Sequence, residues 1–556
     1  MKHRIRYWIL MVLVVSLLAG CALPGGNSQA LAQALERAMA QSPAETAPAE
    51  TEPPATAAPE RVLPGKRTFS QMEYVRPDLD ALEDSRLAAI AAAENGDAEA
   101  AMDALDAYFD GYDWYYTYYA MADICYNRDL RDSYWEKEYN FFLDSYARVD
   151  EGQEEAYYAL AAAPCCEELE TEYFGEGFFD DYQGENPWDE EYTALLEEES
   201  ALISRYYTLS GEASDDLDDY ADGMAQVLVD LIRVRQEIAA YWGFDSYPAF
   251  ANDMYYYRDY TLDQMEEYLQ DIARELVPLY RAMQRTHVWD GYWSRCAEAD
   301  MLCYLQTAAE NMGGTPEKAF REMVDRELCD LTRSENKFNI SFEVYLTGYE
   351  VPYVFLNPMG YAHDKLTLAH EFGHFCNDYA SRGSYAGVDV LEVFSQSMEY
   401  LSLCYGPASP SLERVKLADS LSVYVEQSMY ASFEMKMYAL SGEDLSVEGL
   451  YRLYQQTGEE YGFDSVGFDG REFVDIPHFY THPMYVFSYV VSNDAAMQIY
   501  MMELENSGAG LTCFEENIDT EECYFLAFLE SAGLSSPFDG GSLTRVREML
   551  ETHIFS

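Results

Sequence analysis

Along most of this chain apolar residues recur every three or four positions, the period of a helix with one buried face. The clearest runs are Asp80 to Leu105, Ser133 to Val149, Glu190 to Ser210, Leu217 to Trp242, Leu262 to Thr286, Pro316 to Leu328 and Leu412 to Leu440. Asn95-Gly96 interrupts the first of them, as this turn-forming pair does. Strand-like runs are few: Phe338 to Leu346 (FNISFEVYL) and Val351 to Asn357 (VPYVFLN), the second closed by the turn formers Asn-Pro-Met-Gly. Two more helices follow, Asp364 to Asp378 and Asp389 to Cys404, the latter apolar almost all round. The pattern predicts a mainly α fold with a small β-sheet beside the helix that starts at Asp364. The Tyr-rich acidic stretch Tyr108 to Asn186 reads as helices and loops in no assignable order, without heptads or repeats.

The first 66 residues read differently. Lys2, Arg4 and Arg6 precede an apolar run, Trp8 to Leu18, too short and too early for a typical spanning helix. It ends in Leu18-Ala19-Gly20-Cys21 and resembles a bacterial lipoprotein signal with its lipobox, which implies cleavage after residue 20 and lipid attachment at Cys21. Residues 21–66 are rich in Ala, Pro, Glu and Thr and cannot bury enough apolar surface to fold, so they read as a flexible tether. The expected place is the extracellular face of a bacterial membrane, held by lipid. The remaining residues suffice for two lobes, 67–311 and 312–556, the second carrying the candidate chemistry.

Net charge is −65, and loss of residues 1–20 would make it about −68. So negative a chain repels nucleic acid and anionic membrane alike, leaving the lipid as the membrane contact. Ten cysteines besides Cys21 permit disulfides in an exported protein, but there is no C-x-x-C pair to suggest a cysteine metal site.

The chemistry concentrates at His370-Glu371-Phe372-Gly373-His374. On a helix, residues i and i+4 share a face, so His370 and His374 can hold one zinc ion, and Glu371 stands near enough to act as base toward a metal-bound water. A peptidase zinc site needs a third protein ligand. Asp378, Glu392 and Glu399 are candidates; Ala380 stands where a third histidine would fall in another HExxH pattern. Glu392, Ser395, Gln396 and Glu399 share one face of an otherwise apolar helix, which favours a buried polar stripe, Glu392 as ligand and Glu399 as the partner that orients a ligand. Downstream, His478, Tyr480, His482, Tyr485 and Tyr489 form a dense group of hydrogen-bond donors.

These residues resemble the oligoendopeptidase F and thimet oligopeptidase family of zinc metallopeptidases. The resemblance rests on LTLAHEFGHF (Leu366 to Phe375), EVFSQSME (Glu392 to Glu399), IPHFYTHPMYVFSYVVS (Ile476 to Ser492) and, more weakly, Leu228 to Tyr268. It implies a two-lobed helical ellipsoid with a deep substrate channel and one zinc ion per chain held by His370, His374 and Glu392. It further implies Glu371 as general base, and His478, Tyr485 and Tyr489 as groups that bind substrate and stabilise the oxyanion. The strand bearing Tyr353, Val354 and Phe355 would pair with an extended peptide. Phe394 stands where the family often has Pro or Ala, and the spacing from His478 to the two tyrosines departs from the family pattern by about one residue, leaving open which tyrosine serves the oxyanion. The expected activity is endopeptidase cleavage of short peptides by a monomer; a zinc carboxypeptidase or dipeptidyl carboxypeptidase, and a non-catalytic peptide-binding lipoprotein, are the alternatives.

Overall fold

The structure, a computed structural model, describes residues 67–184, 186, 189–211, 217–463 and 468–555. The signal segment, Cys21 and the tether lie outside the described residues. The fold is mainly α with one three-stranded sheet.

The first long helical run divides where Asn95-Gly96 stands, into Leu79–Glu94 and Ala98–Arg128, with Gly96 at φ +74° in the left-handed region. The Asp78 and Asp97 carboxylates accept backbone N–H groups of the turns that follow them. Ala98–Arg128 takes up much of the Tyr-rich stretch and buries Tyr108, Tyr112, Tyr115, Tyr116, Tyr118 and Tyr119. Tyrosine is tolerated there because its hydroxyl finds partners: Tyr112 and Tyr116 both donate to the buried carboxylate of Asp150.

Several boundaries differ from the pattern. The helix from Ser133 continues to Ala161, because its apolar face resumes at Ala156, Tyr157 and Leu160. The expected helix over 262–286 is two helices, Leu262–Glu275 and Val277–Met283; Pro278 has no N–H to donate and its ring crowds the preceding turn. The run over 412–440 is Pro410–Ser422 and Ser428–Met437, joined by a widened turn, Val423–Gln427. One apolar core runs from Phe69 to Ile554 and so spans both sides of residue 311; a smaller one gathers Ala89, Leu105, Leu160, Phe174 and Phe179 among the N-terminal helices.

The sheet comprises β1 (Cys329–Asp330), β2 (Ser341–Leu346) and β3 (Val351–Leu356) in the order β1-β3-β2. β2 starts at Ser341 rather than Phe338, because the Phe338 N–H is given to the Asn127 carbonyl at the end of Ala98–Arg128. β3 pairs antiparallel with β2 along its whole length and parallel with β1 at Val354 and Phe355. This corrects the expectation that Tyr353, Val354 and Phe355 offer a free edge to a peptide: β3 is the middle strand, and the outer strand on its antiparallel side is β2. No described helix is long and apolar enough to cross a membrane.

Candidate active site

β3 leads through a turn into the helix Asp364–Ser381, which carries the two histidines. The Asp364 carboxylate accepts the N–H groups of Met359, Gly360 and Tyr361 at 3.0, 2.7 and 2.9 Å, fixing the turn against the start of the helix. Gly360 at φ +90° permits the bend.

A second helix, Val388–Tyr405, crosses this one at Gly373, between the two histidines in sequence. A Cβ on residue 373 would lie 2.6 Å from both the Phe394 carbonyl oxygen and the Ser395 Cα. That backbone approach brings Glu392 to the histidines. Its Oε2 is 3.5 Å from His370 Nε2 and 3.9 Å from His374 Nε2. One ligand atom from each residue falls within 4.8 Å of the others, and all three residues are buried. Of the three candidate third ligands, the structure brings Glu392 to the histidine pair. Asp378 instead pairs with Glu343 of β2, and Glu399 lies on the other side of the His370 ring, with Oε1 3.0 Å from Nδ1.

The electrostatics suit a cation. Burial acts to lower the His370 pKa, but the hydrogen bond to Glu399 and the carboxylates of Glu392 and Glu371 outweigh it and lift it to about 9. Burial and the neighbouring His370 hold His374 well below the usual imidazole value. The surplus of carboxylate around the pair is what a divalent cation would neutralise, and His374 Nε2 is buried without a hydrogen-bond partner. The donor set of two imidazoles and a carboxylate is one that zinc favours. Glu392 is itself oriented: Oε1 accepts from the Tyr485 hydroxyl at 2.8 Å and Oε2 from Ser395 Oγ at 2.9 Å. Glu371 is 1% exposed, and burial raises its pKa to about 7 although His370 and Ser341 pull it down. Its Oε2 has no hydrogen-bond partner.

The third group of expected residues is assembled as well. The His478 ring centroid lies 5.7 Å from that of Tyr485 and 6.0 Å from that of Tyr489, and the two tyrosine rings are 5.1 Å apart. Burial lowers the His478 pKa to about 4, so it is neutral at pH 7, and its Nε2 is without a hydrogen-bond partner. His482 sits beside this group with Nδ1 2.7 Å from Thr481 Oγ1.

The loop bearing these groups is held by side chains that sequence reasoning did not single out. Arg235, fully buried on Leu217–Tyr241, donates to the Phe479 carbonyl at 2.8 Å and to that of Tyr480. Tyr256 donates to the Pro483 carbonyl at 2.8 Å, and Arg258 to the Met484 carbonyl and Ser488 Oγ at 2.9 and 3.0 Å. The Glu434 carboxylate accepts the Met484 N–H at 2.8 Å, so Met484 is held at φ +68°. Arg235, Tyr256 and Arg258 all fall within Leu228 to Tyr268, the weakest of the four resembling segments, and that resemblance was the one signal available. Lys416, whose Nζ is 2.8 Å from Glu399 Oε2, carried no signal.

The buried Glu343 and the half-buried Asp378 face each other between β2 and the histidine-bearing helix. Burial raises both carboxyl pKa values, Asp378 to about 7 and Glu343 well above its usual value. Raised carboxyl values mean that the folded chain keeps protons the unfolded chain releases above about pH 4, so the pair costs stability as pH rises from there through 7. Glu343→Gln removes one of the two acids. The melting temperature of the metal-free variant is expected to fall less between pH 5 and 8 than that of the wild type; an equally steep fall would show that the pair does not set this dependence.

Residues 69–185 match the Peptidase M3 N-terminal domain. The fold is similar to that of a protein described as oligoendopeptidase F, at 20% identity and TM-score 0.75, covering 88% of this chain and 99% of that one. It is similar to PZ peptidase A with an inhibitor, at 19% identity and TM-score 0.74, with 88% and 99% covered. A protein described as oligoendopeptidase F from Bacillus anthracis str. Ames shares 20% identity at TM-score 0.70, with 88% and 98% covered. No curated protein matches by sequence. The N-terminal match, the shared fold and the buried donor set of two histidines and a glutamate support a metallopeptidase. The family match is confined to residues 69–185, and the fold over most of the chain is one shared with proteins described as oligoendopeptidase F.

Proposed function

We propose that this protein is a zinc-dependent endopeptidase that cuts internal bonds of short peptides and is anchored outside the cell by lipid at Cys21. The observation that carries the reading is the convergence of His370, His374 and Glu392 beside the unpaired Oε2 of Glu371. His370, His374 and Glu392 would hold the ion. Zinc bound there would supply a Lewis acid that acidifies water and polarises a peptide carbonyl. Glu371 Oε2 takes the proton of the attacking water and delivers it to the departing amine. Tyr485 donates a hydrogen bond from its hydroxyl to Glu392 and so holds the third ligand in place. We therefore assign the oxyanion to the neutral His478 and to Tyr489, whose rings border Tyr485. An extended peptide would add to the outer edge of β2, since both sides of β3 are taken.

A carboxypeptidase from Pyrococcus furiosus has a related fold, at 12% identity and TM-score 0.51, so the fold alone does not separate internal from terminal cleavage. The test is a peptide library of graded length given to residues 21–556, read by mass spectrometry. Internal cuts confined to short peptides, abolished by a chelator and restored by zinc, are expected. Stepwise loss of C-terminal residues would move the assignment to a carboxypeptidase, and no cleavage by zinc-loaded protein would leave a peptide-binding role. For the anchor, Cys21→Ser is expected to release the protein from the membrane fraction; an unchanged distribution would refute lipid attachment at this residue.

A further inference from the structure

Lys416 lies on Pro410–Ser422, a helix that contributes no side chain to the candidate ligand set. Its side chain is 2% exposed, and its Nζ stands 2.8 Å from Glu399 Oε2 and 4.8 Å from the centre of the Tyr400 ring. The other Glu399 oxygen, Oε1, is 3.0 Å from His370 Nδ1, and Nε2 on the far side of that ring is 3.5 Å from Glu392 Oε2. An unbroken line of contacts therefore runs from a buried ammonium, through one carboxylate, to the imidazole at the metal position. Asp419 is the only other carboxylate paired with Lys416 among the described residues, at 3.8 Å. A buried ammonium is costly unless it is closely paired, and a carboxylate with one strong cation on one oxygen is held in a single orientation.

The geometry points to Lys416 as a positioning residue for the metal centre: its ammonium anchors Glu399 so that Oε1 accepts the Nδ1 proton of His370 and Nε2 is presented, unprotonated, to the ion. The inference rests on the reading that His370, His374 and Glu392 hold zinc. Groups that orient a ligand in this way typically change metal affinity by about ten- to a hundredfold when removed. A lysine that merely neutralised a buried acid would stabilise the fold but leave the affinity of the folded protein for zinc unchanged.

The experiment compares zinc dissociation constants of residues 21–556 as wild type, Lys416→Met, Glu399→Gln and the double variant, by competition with a chelating dye, alongside the melting temperature of each metal-free form. Lys416→Met is expected to weaken zinc by about ten- to a hundredfold. In the Glu399→Gln background the same change is expected to add less than about twofold, because Lys416 acts through Glu399. Lys416→Gln replaces Lys416→Met if the latter does not fold, and the same two readings apply. Unchanged zinc affinity in a folded Lys416 variant, or an equal loss with and without Glu399, overturns the inference while leaving the zinc site standing. A wild type that takes up no zinc overturns the function reading, and this inference with it.

Discussion

Glu371→Gln is expected to keep one zinc ion per chain and to lower kcat by about a hundred- to ten-thousandfold, the usual contribution of a positioned general base. The substitution keeps the shape of a buried side chain packed in the first turn of the histidine pair, so the ligands have no reason to move. It removes the capacity that matters. The unpaired Oε2 is the one atom of the carboxylate with nothing else to do, so it is free to accept a proton and return it. An amide can do neither. Elemental analysis for zinc and steady-state turnover on one short peptide decide the matter. Retained turnover would remove Glu371 from the chemistry, and joint loss of zinc and turnover would show that it acts on the metal instead.

The second large effect concerns a residue without functional groups. Gly373→Ala is expected to weaken zinc binding at least about tenfold and to destabilise the metal-free protein by about 1–3 kcal/mol, the usual cost of overpacking. Alanine is the better helix former by about 1 kcal/mol, so local propensity pulls the other way. The close contact wins because the atoms a new methyl would meet, the Phe394 carbonyl oxygen and the Ser395 Cα at 2.6 Å, belong to backbone and cannot rotate aside. The helices must separate, and Glu392 departs from the histidines with its helix. Zinc titration and thermal melting measure the two consequences. A variant unchanged in both would mean that the helices do not cross as closely as the structure has them.

The histidine-bearing helix and Val388–Tyr405 were both legible within a few residues of their ends, as was the strand between Glu350 and Asn357. Each is declared by a local pattern of strong amplitude. The divided helices at Pro278 and Val423 were less so, because a buried apolar run continues through both breaks and hides them. The grouping of His370, His374 and Glu371 is a property of helical spacing and needed no tertiary information. Glu399 was visible as the partner of a ligand for the same reason: it shares a helix face with Glu392, two turns on.

What the chain determines by itself is therefore whatever lies within one helix or strand: which residues share a face, where a turn breaks the pattern, and which short motif carries metal-binding chemistry. The rest depends on contacts between residues far apart in sequence. Asp378, Glu392 and Glu399 are chemically equivalent candidates for a third ligand, and the crossing at Gly373 selects Glu392. Tyr353, Val354 and Phe355 form a strand in either case, but the pairing of β1 places it in the middle of the sheet rather than at an edge. Tyr485 meets Glu392 across 93 residues of chain, and Arg235 meets Phe479 across 244. No periodicity encodes such pairs; they exist because packing one apolar core leaves each buried charge and donor only the partners that the crossing helices bring to it.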